Sequence, residues 1–235
     1  MHFYGKLATE DLGGTLALPA MPTPPTSAER ELARRNPGFD RALLLIGIGL
    51  RNEGVREWNF TLRGLGDREL LAAAQVACER EVWDRCINTS DRTRVEVDMA
   101  QRFPMPYRKD VVSQAREIGI DPAYIYGLIR QESRFIMDAR SSVGASGLMQ
   151  IMPDTARWVA QRMGMKSYRK GLIHQLDVNI KLGTYYMKTV FNQFGENPVL
   201  ASTAYNAGPT RARQWRGTQP LEGAIYIETI PFDET

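Results

Sequence analysis

Histidine and cysteine are the scarcest chemistry-bearing residues, two of each in 235. His2 and His174 lie far apart, Cys78 and Cys86 show no metal-ligand spacing, and no glycine-rich phosphate loop is present. No metal, nucleotide or other cofactor is therefore expected. A charge excess is missing too: 30 basic against 27 acidic residues give a net +3. Nucleic-acid binding normally shows as a clustered basic face, so that partner is excluded. The longest apolar run, Ala42 to Leu50, is about half a membrane span and reads as a buried helix, so stable membrane insertion is not expected. The start, Met1-His2-Phe3-Tyr4, lacks the basic and apolar segments of a secretory signal. That fits a cytoplasmic protein or a chain that begins inside a longer one. The two cysteines are read as buried free thiols, with a bridge geometrically open if Cys78 ends one helix and Cys86 sits in the next. No alternating strand of any length appears, so the fold class is all-α.

What is present is the composition of an ordinary globule, 43% hydrophobic and 24% charged. Residues 1–12 read as the end of a helix closed by Gly13-Gly14. Pro19, Pro22, Pro24 and Pro25 make a stiff linker. Helices follow over about 28–35, 39–51, 55–65, 68–79 and 81–87, with breaks at Asn52-Glu53-Gly54 and Gly64–Asp67. Short turns between helices are the pattern of an antiparallel bundle or α-solenoid. Pro104 and Pro106 push their predecessors out of helix, so a domain boundary is placed near residue 100, giving 1–100 and 101–235. In the second part a helix over 110–118 precedes one capped by Asp121. Further helices are expected over 154–163, 178–194 (capped by Asp177), 198–209 and 210–216, with a tail from Gly223.

The Asp121 helix carries an acid in an unusual place. Asp121 is a good N-cap and Pro122 suits the first helical position. Ile125, Leu128 and Ile129 form an apolar stripe at i, i+3 and i+4. The next place on that stripe is Glu132. An acid there is either a rim or ion-paired residue, or a catalytic acid whose proton is retained by desolvation. Three more features bear on the choice. A loop rich in glycine and serine ends in Gly147-Leu148-Met149-Gln150. A pair that looks buried, Tyr205-Asn206, sits among small residues. The tail is acidic. Together they supply an acid, amide and phenol hydrogen-bonders and a polarisable Met, which suits a polar, uncharged sugar.

Glu132-Ser133, Gly147-Leu148-Met149-Gln150 and Ala204-Tyr205-Asn206-Ala207-Gly208, in this order, resemble the lytic transglycosylases related to goose-type lysozyme. Ile230 to Thr235 is similar to a segment these enzymes carry near the C-terminal end. Residues before 100 are similar to the superhelical region that precedes the catalytic domain in the large soluble members of Gram-negative bacteria. The resemblance implies a lysozyme-like catalytic domain acting on peptidoglycan glycan strands in the periplasm. It implies cleavage of the β-1,4 bond between N-acetylmuramic acid and N-acetylglucosamine, with a 1,6-anhydromuramoyl product. By motif position Glu132 is the single general acid and base. Ser133, Gly147 and Gln150 bind sugar, Met149 packs in the groove floor, and Tyr205 hydrogen-bonds the carboxyl or substrate. Asn206 holds the site together, and Glu234 reaches in from the tail. The N-terminal helices are the expected docking place for other cell-wall synthesis or remodelling proteins. In the family the Glu-Thr of the tail runs on, whereas this chain stops at Thr235, so a fragment of a longer protein is expected. The alternatives are a goose-type hydrolase, or an inactive scaffold or peptidoglycan-binding fragment.

Overall fold

The computed structural model describes residues 3–217 and 221–232. Fourteen α-helices and no strands occur among the described residues. The chain forms two compact units, Met1–Pro104 and Met105–Thr235. No helix among the described residues is long and apolar enough to cross a membrane.

The first unit holds α1 (Phe3–Asp11), α2 (Ser27–Arg34), α3 (Pro37–Gly47), α4 (Arg51–Thr61), α5 (Asp67–Glu79), α6 (Trp83–Ser90) and α7 (Met99–Arg102). Consecutive helices pack in pairs, α3 on α4 and α5 on α6. The core forms around Trp58, which is fully buried beside Phe39 with ring centroids 4.6 Å apart. Burying such a side chain contributes about 1.5–3 kcal/mol. Its indole N–H would be unsatisfied there, and it donates to Thr89 Oγ1 at 2.8 Å.

Two expectations are corrected in this unit. The break between the third and fourth helices falls at Ile48-Gly49-Leu50, where Gly49 has φ +88°, and not at Asn52-Glu53-Gly54. Gly54 lies inside α4 because a Cβ there would meet the Ala42 carbonyl at 2.6 Å, so the glycine serves close helix packing rather than a turn. Cys78 and Cys86 are joined in a disulfide across the α5–α6 turn and are not free thiols.

The second unit holds α8 (Arg108–Glu117), α9 (Pro122–Glu132), α10 (Pro153–Arg162), a 3₁₀ turn (Lys170–His174), α11 (Leu176–Gln193), α12 (Pro198–Ala207), α13 (Pro209–Arg216) and α14 (Gly223–Thr229). At 18 residues α11 is the long central helix, and it packs against α8, α10 and α12. Ile180, Leu182, Gly183 and Met187 on α11 are buried, as are Ala201 and Ala204 on α12. Small α12 residues let the two helices approach closely. The expected cap of α11 is corrected: the helix begins at Leu176 after Gln175, and Asp177 sits within the first turn, where an acid favours the helix dipole.

The tail holds a further helix that was not expected. Glu222 caps α14 by accepting from the Ala224 and Ile225 N–H groups at 3.0 and 3.2 Å. Beyond it the Phe232 ring meets Trp215 of α13 edge-on at 5.0 Å and carries the Arg211 guanidinium at 4.9 Å.

Candidate active site

The helix α9 starts and stops for local reasons. The Asp121 carboxylate accepts from the Ala123 N–H at 2.8 Å, and Pro122 occupies the first turn. Ile125 and Ile129 are fully buried. At the other end Arg134 and Phe135 have φ +48° and +65°, a conformation that costs non-glycine residues free energy. Ser133 holds this exit. Its hydroxyl donates to the Ile129 carbonyl at 3.3 Å and accepts from the Phe135 N–H at 3.1 Å. Ser133 is itself buried, so it shapes the backbone beside the acid and presents no open face to a sugar, contrary to the sequence expectation.

Glu132 is the last residue of α9. Its carboxyl is pushed up to about 7 by burial. The negative end of the helix dipole acts in the same direction. Among the described residues no cation forms an ion pair with it, and the ion-paired alternative therefore finds no support there. A carboxyl with this poise holds its proton near neutrality and gives it up readily, as a general acid and base must.

The Gly147–Gln150 loop is held from beneath by Asn179 of α11. Asn179 is fully buried. Its Oδ1 accepts from the Met149 N–H at 2.9 Å, and its Nδ2 donates to the Ser146 and Ile173 carbonyls at 3.2 and 2.7 Å. Gly147 has φ +80°, and a Cβ there would lie 2.1 Å from Asn179 Nδ2 and 2.9 Å from the Ile173 carbonyl. One turn along α11, a Cβ on Gly183 would lie 2.3 Å from Met149 Sδ. The loop and α11 thus meet through one glycine on each side. Met149 is fully buried against Gly183. It supports the loop from within, and the expected sugar-facing surface on this side chain is absent.

Gln150 has φ +43°. Its Nε2 donates to the Ala139 and Gly147 carbonyls at 3.1 and 2.8 Å. With its side-chain nitrogen engaged in this way, the side-chain oxygen is its remaining acceptor.

Tyr205 of α12 is buried and its hydroxyl donates to the Met149 carbonyl at 2.8 Å. Its phenol is held well above the ordinary value, first by burial, then by the charges of Glu132 and Tyr186. That electrostatic coupling places Tyr205 near the acid. The Tyr186 ring lies 5.2 Å from that of Tyr205. Asn206 points the other way. It is exposed, so the expected buried Tyr-Asn pair is half right. Glu234 lies outside the described residues.

Sequence reasoning missed Asn179 and Tyr186. The signal for Asn179 was an amide between Val178 and Ile180 on a face expected to be apolar. Tyr186 offered none beyond its position one residue from Met187.

The model of the transglycosylase SLT domain matches residues 111–226. The soluble lytic murein transglycosylase of Salmonella typhimurium is 33% identical over 238 residues, covering 99% of this chain and 36% of the relative. That of Escherichia coli K12 is 30% identical over 236 residues with the same coverage. The chain thus spans about a third of the length of these relatives. Among solved structures, an inactive mutant of the lytic transglycosylase Slt from Pseudomonas aeruginosa superposes with a TM-score of 0.86 and 37% identity. It covers 99% of this chain and 38% of that one. The 70-kDa soluble lytic transglycosylase of Escherichia coli gives 0.80 and 30% with the same coverage. Through residues 111–226, this chain belongs to the transglycosylase SLT domain family.

Proposed function

We propose that the second unit cleaves the β-1,4 bond between N-acetylmuramic acid and N-acetylglucosamine in peptidoglycan and closes a 1,6-anhydro ring on the muramoyl end. The observation that carries this reading is the Glu132 carboxyl, raised to about 7 by burial. Relatives named soluble lytic murein transglycosylases supply the substrate class.

The chemistry balances with one acid. The Glu132 carboxyl gives its proton to the glycosidic O4 as the C1–O4 bond breaks. Positive charge at C1 is met by the N-acetyl carbonyl of the substrate, as in substrate-assisted glycosidases. The C6 hydroxyl then attacks C1, and the Glu132 carboxylate takes its proton. No water enters, and the net transfer is one proton from O6 to O4. Acid–base help of this kind is worth about 10²–10⁴ in rate, with positioning supplying much of the remainder.

The other residues take roles from where they lie. The Gln150 side-chain oxygen accepts from a sugar hydroxyl or amide, while its nitrogen braces the loop. Gly147 and Met149 set the height of that loop through Asn179. Tyr205 fixes the Met149 carbonyl and borders the acid. Exposed Asn206 is accessible to the strand from the end of α12. Glu234 is proposed to reach the site from the tail. The periplasm is the proposed location, supported by the Cys78–Cys86 bridge, since disulfides persist in oxidising compartments. The first unit, with Leu44, Ile48 and Phe60 on its surface, is the proposed contact for other cell-wall proteins.

Digestion of purified sacculi with product mass analysis tests the reaction. Anhydro-muropeptides, one water lighter than reducing-end products, are expected. Reducing ends alone would mean a hydrolase. No release by the parent chain would leave a binding module.

A further inference from the structure

The balanced net charge conceals one strongly basic segment. Between Asp154 and Asp177 the chain has no acid, yet it carries Arg157, Arg162, Lys166, Arg169 and Lys170. These residues run from α10 through a loop to the start of the 3₁₀ turn. None belongs to the motifs that carry the family resemblance. Five cations in so short a stretch set up a local positive field, whatever the total charge.

The fold holds these charges outward and largely uncompensated. All five are exposed. Arg157 pairs with Asp154 at 3.2 Å on an open surface, where such a pair is weak. Among the described residues, Arg162, Lys166, Arg169 and Lys170 form no ion pair. The loop is fixed by its own backbone. The Lys166 N–H donates to the Gly164 carbonyl at 2.9 Å, Tyr168 to Met165 at 3.0 Å and Leu172 to Arg169 at 2.9 Å. Half-buried Tyr168 anchors it against α10: burial raises its phenol, and the Arg157 charge works against that shift. Trp158 stands in the same surface, 37% exposed, with the Arg162 guanidinium 5.0 Å from its ring centroid. So large a ring left open is unusual. An indole among cations is the pairing that seats at the headgroup level of a bilayer. None of the cations is buried to form a pocket for one anion, so a plane of many phosphates fits them better.

We propose that the basic surface from Arg157 to Lys170, with Trp158, attaches the second unit to an anionic phospholipid bilayer. The attachment is peripheral: cations meet lipid phosphates and the indole sits between headgroups, while no described helix is long and apolar enough to cross. It goes beyond the glycan chemistry at Glu132 and does not depend on it.

The test sediments the full chain with vesicles of phosphatidylglycerol and phosphatidylcholine in equal parts, or of phosphatidylcholine alone. Binding is expected to the anionic vesicles and not the neutral ones, weakening steeply between about 0.1 M and about 0.5 M salt. The combined variant Lys166→Gln, Arg169→Gln and Lys170→Gln should bind about a hundredfold more weakly, at about fivefold per cation. Lipid brominated in its acyl chains should quench tryptophan fluorescence in the parent and not in Trp158→Phe. Equal binding to neutral vesicles, or parent-like binding by the combined variant, overturns the proposal. Quenching that survives Trp158→Phe also overturns it, because another face then meets the bilayer. Equal affinity for a single-stranded oligonucleotide would mean an unspecific polyanion site, with the same consequence. A combined variant that loses sacculus binding and keeps vesicle binding overturns it in favour of a glycan or stem-peptide contact. Release of anhydro-muropeptides by the parent chain is read separately and bears only on the Glu132 reading.

Discussion

The hydroxyl of Tyr205 donates to the main-chain carbonyl of Met149 at 2.8 Å, 56 residues away in the chain. Asn179 binds the N–H of the same residue. Both polar groups of Met149 are thus held from different helices, and the loop beside the acid cannot shift without breaking one of them. Tyr205→Phe removes one hold and leaves a buried carbonyl unpaired. A loss of about 1–3 kcal/mol of stability is expected, with lysis of sacculi falling further than the melting temperature alone accounts for. Thermal denaturation read beside turbidimetric lysis separates the two. An unchanged lysis rate would show that the loop position does not depend on this bond.

The poise of Glu132 sets the pH dependence of the reaction. The group must be protonated when O4 leaves, and its carboxyl titrates at about 7. The rate should therefore fall on the alkaline side with a midpoint near that value. Glu132→Gln removes the proton donor, and a loss of about 10²–10⁴ is expected. Release of anhydro-muropeptides across pH 5 to 9 measures both. A profile flat through neutrality would remove Glu132 from the chemistry.

How far the sequence revealed the site depended on whether the cause was local. The bounds of α9 were legible because Asp121 and Pro122 act on their own turn. Glu132 stood out because the stripe of Ile125, Leu128 and Ile129 predicted an apolar residue. Gly54 was read as a break, yet its cause is the Ala42 carbonyl on the facing helix. No local signal distinguishes a turn glycine from a packing glycine. Ser133 and Met149 were read as facing sugar, because a motif gives position along the chain and not direction. Both turn inward, one to its own backbone and one onto Gly183. Asn179 went unread because its partners, Ser146, Met149 and Ile173, meet only after the loop has folded.

Asn179 should be the most sensitive residue outside the motifs. Asn179→Ala deletes the partners of one N–H and two carbonyls in a fully buried place. A cost of roughly 3 kcal/mol or more is expected from groups left unsatisfied. Gly147→Ala should be comparably damaging, since its φ is +80° and the new Cβ meets backbone at Ile173 as well as the amide. Urea denaturation of each variant checks this. Wild-type midpoints would show that the loop repacks freely.

The Cys78–Cys86 bridge closes a short loop, with a sequence separation of eight. The chain-entropy relation gives about 2–3 kcal/mol for a loop of this size. Reduction should lower the melting temperature of the first unit. Hydrogen exchange with and without reductant locates the effect, and loosening is expected in α5 and α6. Equal protection in both conditions would mean the core around Trp58 holds those helices without the bridge.

The raised carboxyl of Glu132 also makes stability depend on pH, with a sign set by the direction of its shift. In the unfolded chain the carboxyl titrates near its ordinary value of 4.5; in the folded chain it does so at about 7. Below 4.5 both states hold the proton, and Glu132 contributes no pH dependence. Between the two values the folded chain holds more protons than the unfolded one, so stability falls as pH rises. Above about 7 both states are ionised and the folded chain carries the full cost of a desolvated charge. That cost is roughly 3 kcal/mol at most, and less in practice because the group is partly solvated. Glu132→Gln removes the ionisation altogether. The variant should melt higher than the parent at pH 8 and close to it at pH 4, while losing activity at both. Calorimetry at the two pH values reads the difference directly. A variant less stable than the parent at pH 8 would mean that the ionised carboxylate is stabilised by a partner in the folded chain, and the acid–base assignment would lose its physical basis.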